Sequence, residues 1–126
     1  MSVQLAVAPI AWSNSDLPHL GGDTPLETCL RESREAGFTG TESGAKYPMD
    51  PEKLGPLLQE YDLKLASGWF SGTLRECTVG DEWENLQEML YTFKSLQAPV
   101  LVYAETIGSV QTKQQIPDSQ RPVMPD

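Results

Sequence analysis

Apolar and polar positions alternate along the chain in blocks that change period from strand to helix and back. "VQLAVAPIAW", Val3 to Trp12, is apolar almost throughout, the pattern of a strand buried on both faces. In "GGDTPLETCLRESREAG", Leu26, Cys29, Leu30, Ser33 and Ala36 fall on one face, which predicts a helix. Thr24, Pro25 and Glu27 read as its capping box with proline in the first helical position, and Gly37 closes it. "FTGTES" is a second strand. Asp50-Pro51 opens a second helix running to Tyr61, with Gly55-Pro56 expected to kink or delay it. "KLASGWF" is a third strand. Asp81 opens a third helix whose inner stripe is Trp83, Leu86, Leu90, Phe93 and Leu96; Pro99 stops it, and "VLVYAET" is a fourth strand.

Strands and helices that alternate with short loops imply parallel strands with helices packed outside. Two α/β architectures answer to this: an open doubly wound sheet, and part of a (β/α)₈ barrel, which needs roughly 250 residues to close. Neither GxGxxG nor GxxxxGK[ST] follows the first strand, so the nucleotide-binding form of the open sheet lacks its strongest support. "IGSVQTKQQIPDSQRPVMPD" is polar, carries three prolines and has no helical stripe. Its final Pro125-Asp126 is the kind of pair that precedes a helix. The expected division is a partial barrel domain over 1–106 and a polar, proline-containing loop over 107–126 that leads to a missing helix.

Charge narrows the range of partners. Nine basic against eighteen acidic residues leave a net charge of −9, without a Lys/Arg cluster. Such a surface disfavours non-specific binding to nucleic acid or to an anionic membrane. The run Val3–Trp12 is far shorter than the ~20 residues of a membrane span and has no basic residue before it, so it reads as neither span nor signal peptide. Cys29 and Cys77 have neither CxxC nor zinc spacing, which suits reduced thiols in a cytoplasmic protein.

Chemistry in parallel α/β folds gathers at the carboxyl ends of the strands. That rule selects Trp12, Ser13 and Asn14 after strand one, and Glu42, Ser43 and Lys46 after strand two. It adds Trp69 and Ser71 after strand three, and Tyr103 and Glu105 at the end of strand four. Aromatic faces with fixed hydrogen-bond partners suit a small polyhydroxylated ring or chain. A carboxylate and an ammonium on one rim suit proton transfer beside a carbonyl. Each residue also has a structural reading. Glu42 can bond turn amides, Lys46 can be a solvated loop residue, and Trp12 and Trp69 can plug the top of the core. Glu105 on an apolar strand is costly to bury without a partner. His19 is the only histidine, which leaves no His-rich metal cluster and no setting for a Ser–His–Asp triad. "SGWFSG" is not a GxSxG elbow.

"LAVAPIAWSNSDLPHLGGDTPLETCLRESREAGFTGTESGAKYP", followed by "LASGWFSG" and "VLVYAETIGSVQ", resembles the N-terminal half of inosose dehydratases. These are enzymes of inositol catabolism within the xylose-isomerase-like sugar isomerase and epimerase superfamily of TIM barrels. The resemblance covers essentially all 126 residues, and Pro9 to Pro48 is its most specific part. It implies the N-terminal half of a TIM barrel, with about four parallel strands and three helices. It also implies a lyase that dehydrates 2-keto-myo-inositol (scyllo-inosose), a cyclic polyol ketone, to a trihydroxycyclohexane-1,2-dione. A divalent cation, cobalt or manganese, and glutathione are the implied cofactors. The superfamily's metal ligands come mainly from strands five to eight, so no metal ligand is carried onto this chain, Glu105 being the one weak contributor. The resemblance makes these rim positions substrate-facing: Glu42 and Lys46 are the expected catalytic pair, orienting ring hydroxyls or shuttling a proton, and Trp12, Asn14, Trp69, Tyr103 and Glu105 are expected to bind substrate. Another sugar isomerase or epimerase of the superfamily, or a non-catalytic truncated half-barrel, is the alternative. An isolated half-barrel is expected to be inactive and to self-associate through its uncovered face and edges.

Overall fold

The computed structural model describes residues 3–109 together with Pro117 and Gln120. Four strands, β1 (Ala6–Val7), β2 (Gly40–Ser43), β3 (Lys64–Gly72) and β4 (Val102–Glu105), alternate with three helices, α1 (Leu26–Glu35), α2 (Pro51–Glu60) and α3 (Val79–Ser95). The sheet order is β1-β2-β3-β4 and each neighbouring pair is parallel. Sequential order in a curled sheet is the architecture of half a (β/α)₈ barrel. A doubly wound sheet would instead reverse its strand order at a switch point. Most of the expected loop over 107–126 lies outside the described residues.

The core lies between the sheet and its helices, and is built from Leu30, Tyr47, Leu54, Leu58, Leu63, Leu65 and Phe93. Leu30 and Leu54 are fully shielded from solvent. Leu54→Ala should therefore cost about 2–5 kcal/mol, the usual range for emptying a leucine-sized site. A shift of the urea midpoint with an unchanged slope would register it; an unshifted midpoint would place Leu54 outside the core.

Four local expectations are revised by the structure. The first strand shrinks to Ala6–Val7, because Pro9 has no N–H for the ladder and the chain turns into a 3₁₀ turn over Pro9–Ala11. Val3 and Leu5 before it are exposed. The capping box of α1 does not form: Pro25 is the cap rather than the first helical residue, so Glu27 stands one position too early to reach back. The α2 helix passes through Pro56 to Glu60 without delay, with the Asp50 carboxylate accepting from the Glu52 N–H at 3.0 Å. Finally, α3 starts at Val79 under a reciprocal Thr78–Asp81 capping box; Phe93 and Leu96 pack on the core as expected, but the first turn departs from the stripe. Glu82 goes inward and Trp83 is 59% exposed.

Candidate active site

A β-bulge at the carboxyl end of the sheet sets the geometry of the rim. The β2–β3 pairing runs Gly40 to Lys64 and Thr41 to Leu65, then jumps to Glu42 opposite Ser67 and Ser43 opposite Gly68. Skipping Ala66 re-aims the side chains beyond it, the usual effect of an extra residue in one strand. The Ser67 hydroxyl then donates to Glu42 Oε2 at 3.3 Å. Gly68 must be glycine here, since a Cβ would stand 2.1 Å from Ser43 Oγ and 2.6 Å from Phe93 Cζ.

Above this corner lies an open cavity of about 580 Å³ whose walls include Glu42, Lys46, Tyr47, Trp69 and Ser71. Its floor is Tyr47, a core residue whose hydroxyl is 2.8 Å from Thr41 Oγ1. Burial pushes the Tyr47 phenol up to about 12, so the floor stays uncharged. Trp69 is half exposed and its indole N–H donates to Ser71 Oγ at 3.0 Å. Cys29 also faces the cavity, but burial raises its thiol pKa and the thiol donates to the Pro25 carbonyl at 3.4 Å; it is no activated nucleophile. A second cavity, about 440 Å³, opens at the amino ends of the strands beside the Arg34–Asp62 ion pair, away from this rim.

Of the seven residues that the sequence and its resemblance put on the rim, the structure brings three into this cavity: Glu42, Lys46 and Trp69. Lys46 does not stand free in it. Its ammonium donates to the backbone carbonyls of Gly21, Gly22 and Thr24, the Gly22 contact being 2.8 Å. The other four residues are engaged elsewhere. Trp12 turns outward, its indole N–H donating to Glu32 Oε2 on α1 at 2.6 Å. Asn14 closes a turn, its side-chain oxygen accepting from the Asp16 and Leu17 N–H groups. Tyr103 stacks on Phe70 at 5.9 Å between centroids and donates to Glu82 Oε1 at 2.7 Å. Glu105 accepts from the Ile107 N–H through Oε1 at 2.9 Å, while its Oε2 is buried without a partner.

The most heavily bonded carboxylate on this side is one the sequence reading passed over. Glu82, only 3% exposed, accepts from the Thr73 N–H, the Thr73 hydroxyl, the Tyr103 hydroxyl and the Cys77 thiol. The Tyr103 hydrogen bond, above all, holds its pKa below the ordinary value. A start of α3 at Thr78 was the available signal, because it puts Glu82 in the first turn beside the loop after β3.

Cofactor fit can be tested against the same residues. Among the described residues, no group of three or more His, Cys, Asp or Glu side chains could hold a metal ion, so these residues do not fit the implied cation. Nor do they fit glutathione well. Lys46, the cavity's one cationic wall residue, already points its ammonium at three backbone carbonyls rather than offering it to a carboxylate.

Comparison with known proteins follows the same lines. The chain is 46% identical over 122 residues to the rhizopine catabolism protein MocC of Rhizobium meliloti, an alignment covering 97% of this chain and 38% of MocC. It is 40% identical over 113 residues to an inosose dehydratase of Mesomycoplasma hyopneumoniae, covering 87% of the chain and 36% of that enzyme. An inosose dehydratase of Clostridium perfringens is 37% identical over 116 residues, with 92% and 39% covered. The chain thus spans well under half the length of these relatives. No family model matches it.

Proposed function

The chain belongs to the family of the inosose dehydratases, and on that premise we propose that it forms one side of a hydro-lyase active site for 2-keto-myo-inositol. The observation that carries this reading is the cavity at the carboxyl ends of the strands. There an acid–base group, Glu42, shares the cavity walls with the hydroxyl-bearing Ser43, Tyr47 and Ser71 and with Trp69. Dehydration next to a ketone needs a base for the adjacent proton and an acid for the departing hydroxyl. Glu42, oriented by the Ser67 hydroxyl, is the group of this chain placed for one of those transfers. Trp69 offers an apolar face to the ring, Ser71 fixes its indole, and Tyr47 keeps the floor neutral.

In this reading the divalent cation and glutathione belong to the part of the relatives' length that this chain does not cover. The free edges of β1 and β4 are where the remaining strands of a barrel pair, or a second copy in their absence. The same reading puts the reaction in the cytoplasm, a compartment that keeps thiols reduced and so suits the unpaired Cys29 and Cys77. No helix among the described residues is long and apolar enough to cross a membrane.

The test is dehydration of 2-keto-myo-inositol by a protein of the relatives' full length that carries this segment, compared with the 126-residue chain alone. The long form should turn over, and the chain alone should show no turnover at any metal concentration. Turnover by the chain alone would overturn the placement of the site, and a long form inert on this ketone would overturn the substrate. Because MocC is named for rhizopine catabolism, a rhizopine-derived substrate belongs in the same assay.

A further inference from the structure

The segment between the 3₁₀ turn and α1 is a compact loop, closed on itself by main-chain bonds. The Asn14 N–H donates to the Leu20 carbonyl at 3.0 Å, Leu20 to Leu17 at 2.8 Å, and Thr24 to Gly21 at 3.0 Å. The Asn14 side chain closes the first turn from within. Gly21, at φ +72°, lets the chain fold back so tightly that a Cβ there would stand 1.9 Å from the Trp12 carbonyl oxygen. Ser13, Ser15 and Asp16 of this loop form one wall of the candidate cavity.

One side chain ties that wall to the opposite rim. Lys46 sits in the short connection after β2, and its ammonium has three N–H donors and no acceptor. The Gly21, Gly22 and Thr24 carbonyls match those three donors in number. The connection that carries Lys46 is itself anchored: its neighbour Tyr47 is buried in the core, and the Tyr47 N–H donates to the Gly44 carbonyl at 2.9 Å. A rigid base, a charged arm and a self-bonded loop together make a strap.

We propose that Lys46 is a positioning residue that straps the 13–24 loop against the β2 rim and so sets how far the cavity opens to a polyol ring. An ammonium held by backbone carbonyls is a poor proton shuttle. This role therefore replaces the acid–base one that the sequence suggests for Lys46. The proposal deepens the dehydratase reading and rests on it only for the identity of the occupant; the strap itself is a property of this chain.

The test has a structural arm and a kinetic arm. In the 126-residue chain, Lys46→Met should speed hydrogen exchange at the Asn14, Leu20 and Thr24 amides about tenfold or more while the Leu30 and Leu54 amides keep their rates. Lys46→Arg, which retains the charge and several donors, should restore most of the protection. In the unaltered chain, reductive methylation should reach Lys46 several-fold more slowly than Lys64 or Lys94, a measurement that stands even if a variant folds poorly. Unchanged loop exchange, or methylation of Lys46 as fast as the others, overturns the strap. In a protein of the relatives' full length, Lys46→Met should raise KM about tenfold or more with kcat within about twofold. A fall in kcat at constant KM would return Lys46 to acid–base chemistry. If that protein dehydrates no inosose, the substrate reading fails, and the exchange and methylation results decide the strap by themselves.

Discussion

Glu42→Gln should lower kcat/KM for inosose dehydration by about a hundred- to ten-thousandfold, the range for losing a positioned acid or base. The comparison belongs in a protein of the relatives' full length. The amide matches the carboxylate in shape, and the Ser67 hydroxyl can still donate to its carbonyl oxygen as it now does to Oε2 at 3.3 Å. Fold and unfolding midpoint should therefore stay close to those of the parent. Were Glu42 merely an acceptor for a substrate hydroxyl, the loss would be one charge-assisted bond, roughly 1.5–3 kcal/mol, or about ten- to a hundredfold and slightly more. Ser67→Ala separates the cases further, since it leaves the charge and removes only the orienting donor; its loss should fall well short of that of Glu42→Gln. Parental efficiency in a normally folded Glu42→Gln protein would return Glu42 to the structural role of a turn residue.

What the sequence made legible were features written in short-range pattern. Short strand-like runs bounded by glycine and proline placed β2, β3 and β4, and the alternation with helices implied parallel strands; their sequential order followed only from the resemblance to a TIM barrel. Features that depend on distant partners stayed hidden. The bulge that sets Glu42 opposite Ser67 involves residues 25 positions apart, and no local period reports it. The indole of Trp12 finds Glu32 across 20 positions and leaves the rim for the outer face of α1. Lys46 read as a rim cation because its true acceptors are main-chain carbonyls, which every residue possesses and no side-chain pattern marks. A carboxylate in the first turn of a helix ordinarily faces water and favours the positive end of the dipole. Glu82 instead turns inward, because the loop after β3 and the end of β4 supply four donors. That inversion also turns Trp83 out to solvent.

The same cluster yields the second large effect, from one added methyl group. Gly72→Ala should destabilise the chain by about 1–3 kcal/mol, the cost typical of forcing an extra carbon into a filled site. A Cβ on Gly72 would stand 2.1 Å from the Tyr103 hydroxyl and 2.7 Å from Glu82 Oε1, so the 2.7 Å hydrogen bond between those two groups must break. The Glu82 carboxylate would keep only its Thr73 and Cys77 donors. Removing the obstructing hydroxyl should relieve much of this, so Gly72→Ala should cost less in a Tyr103→Phe background than alone, the non-additivity expected of neighbours in one network. The signs of the two titrations then shape the pH profile. The Tyr103 bond holds the pKa of Glu82 below its ordinary value, so its contribution is present above the unfolded carboxylate range and is lost as pH falls through the folded value. The Glu82 bond pushes Tyr103 up from 10.0 to about 12, so its contribution is present below the unfolded value and is lost as pH rises through the folded one. The stability gap between parent and Gly72→Ala should accordingly be widest near neutral pH and narrow towards both acid and strong alkali. Urea midpoints measured across that range decide it: equal midpoints at neutral pH would mean the cluster accommodates the methyl group. A gap that does not vary with pH would show that steric crowding alone, and not the Glu82–Tyr103 bond, carries the cost.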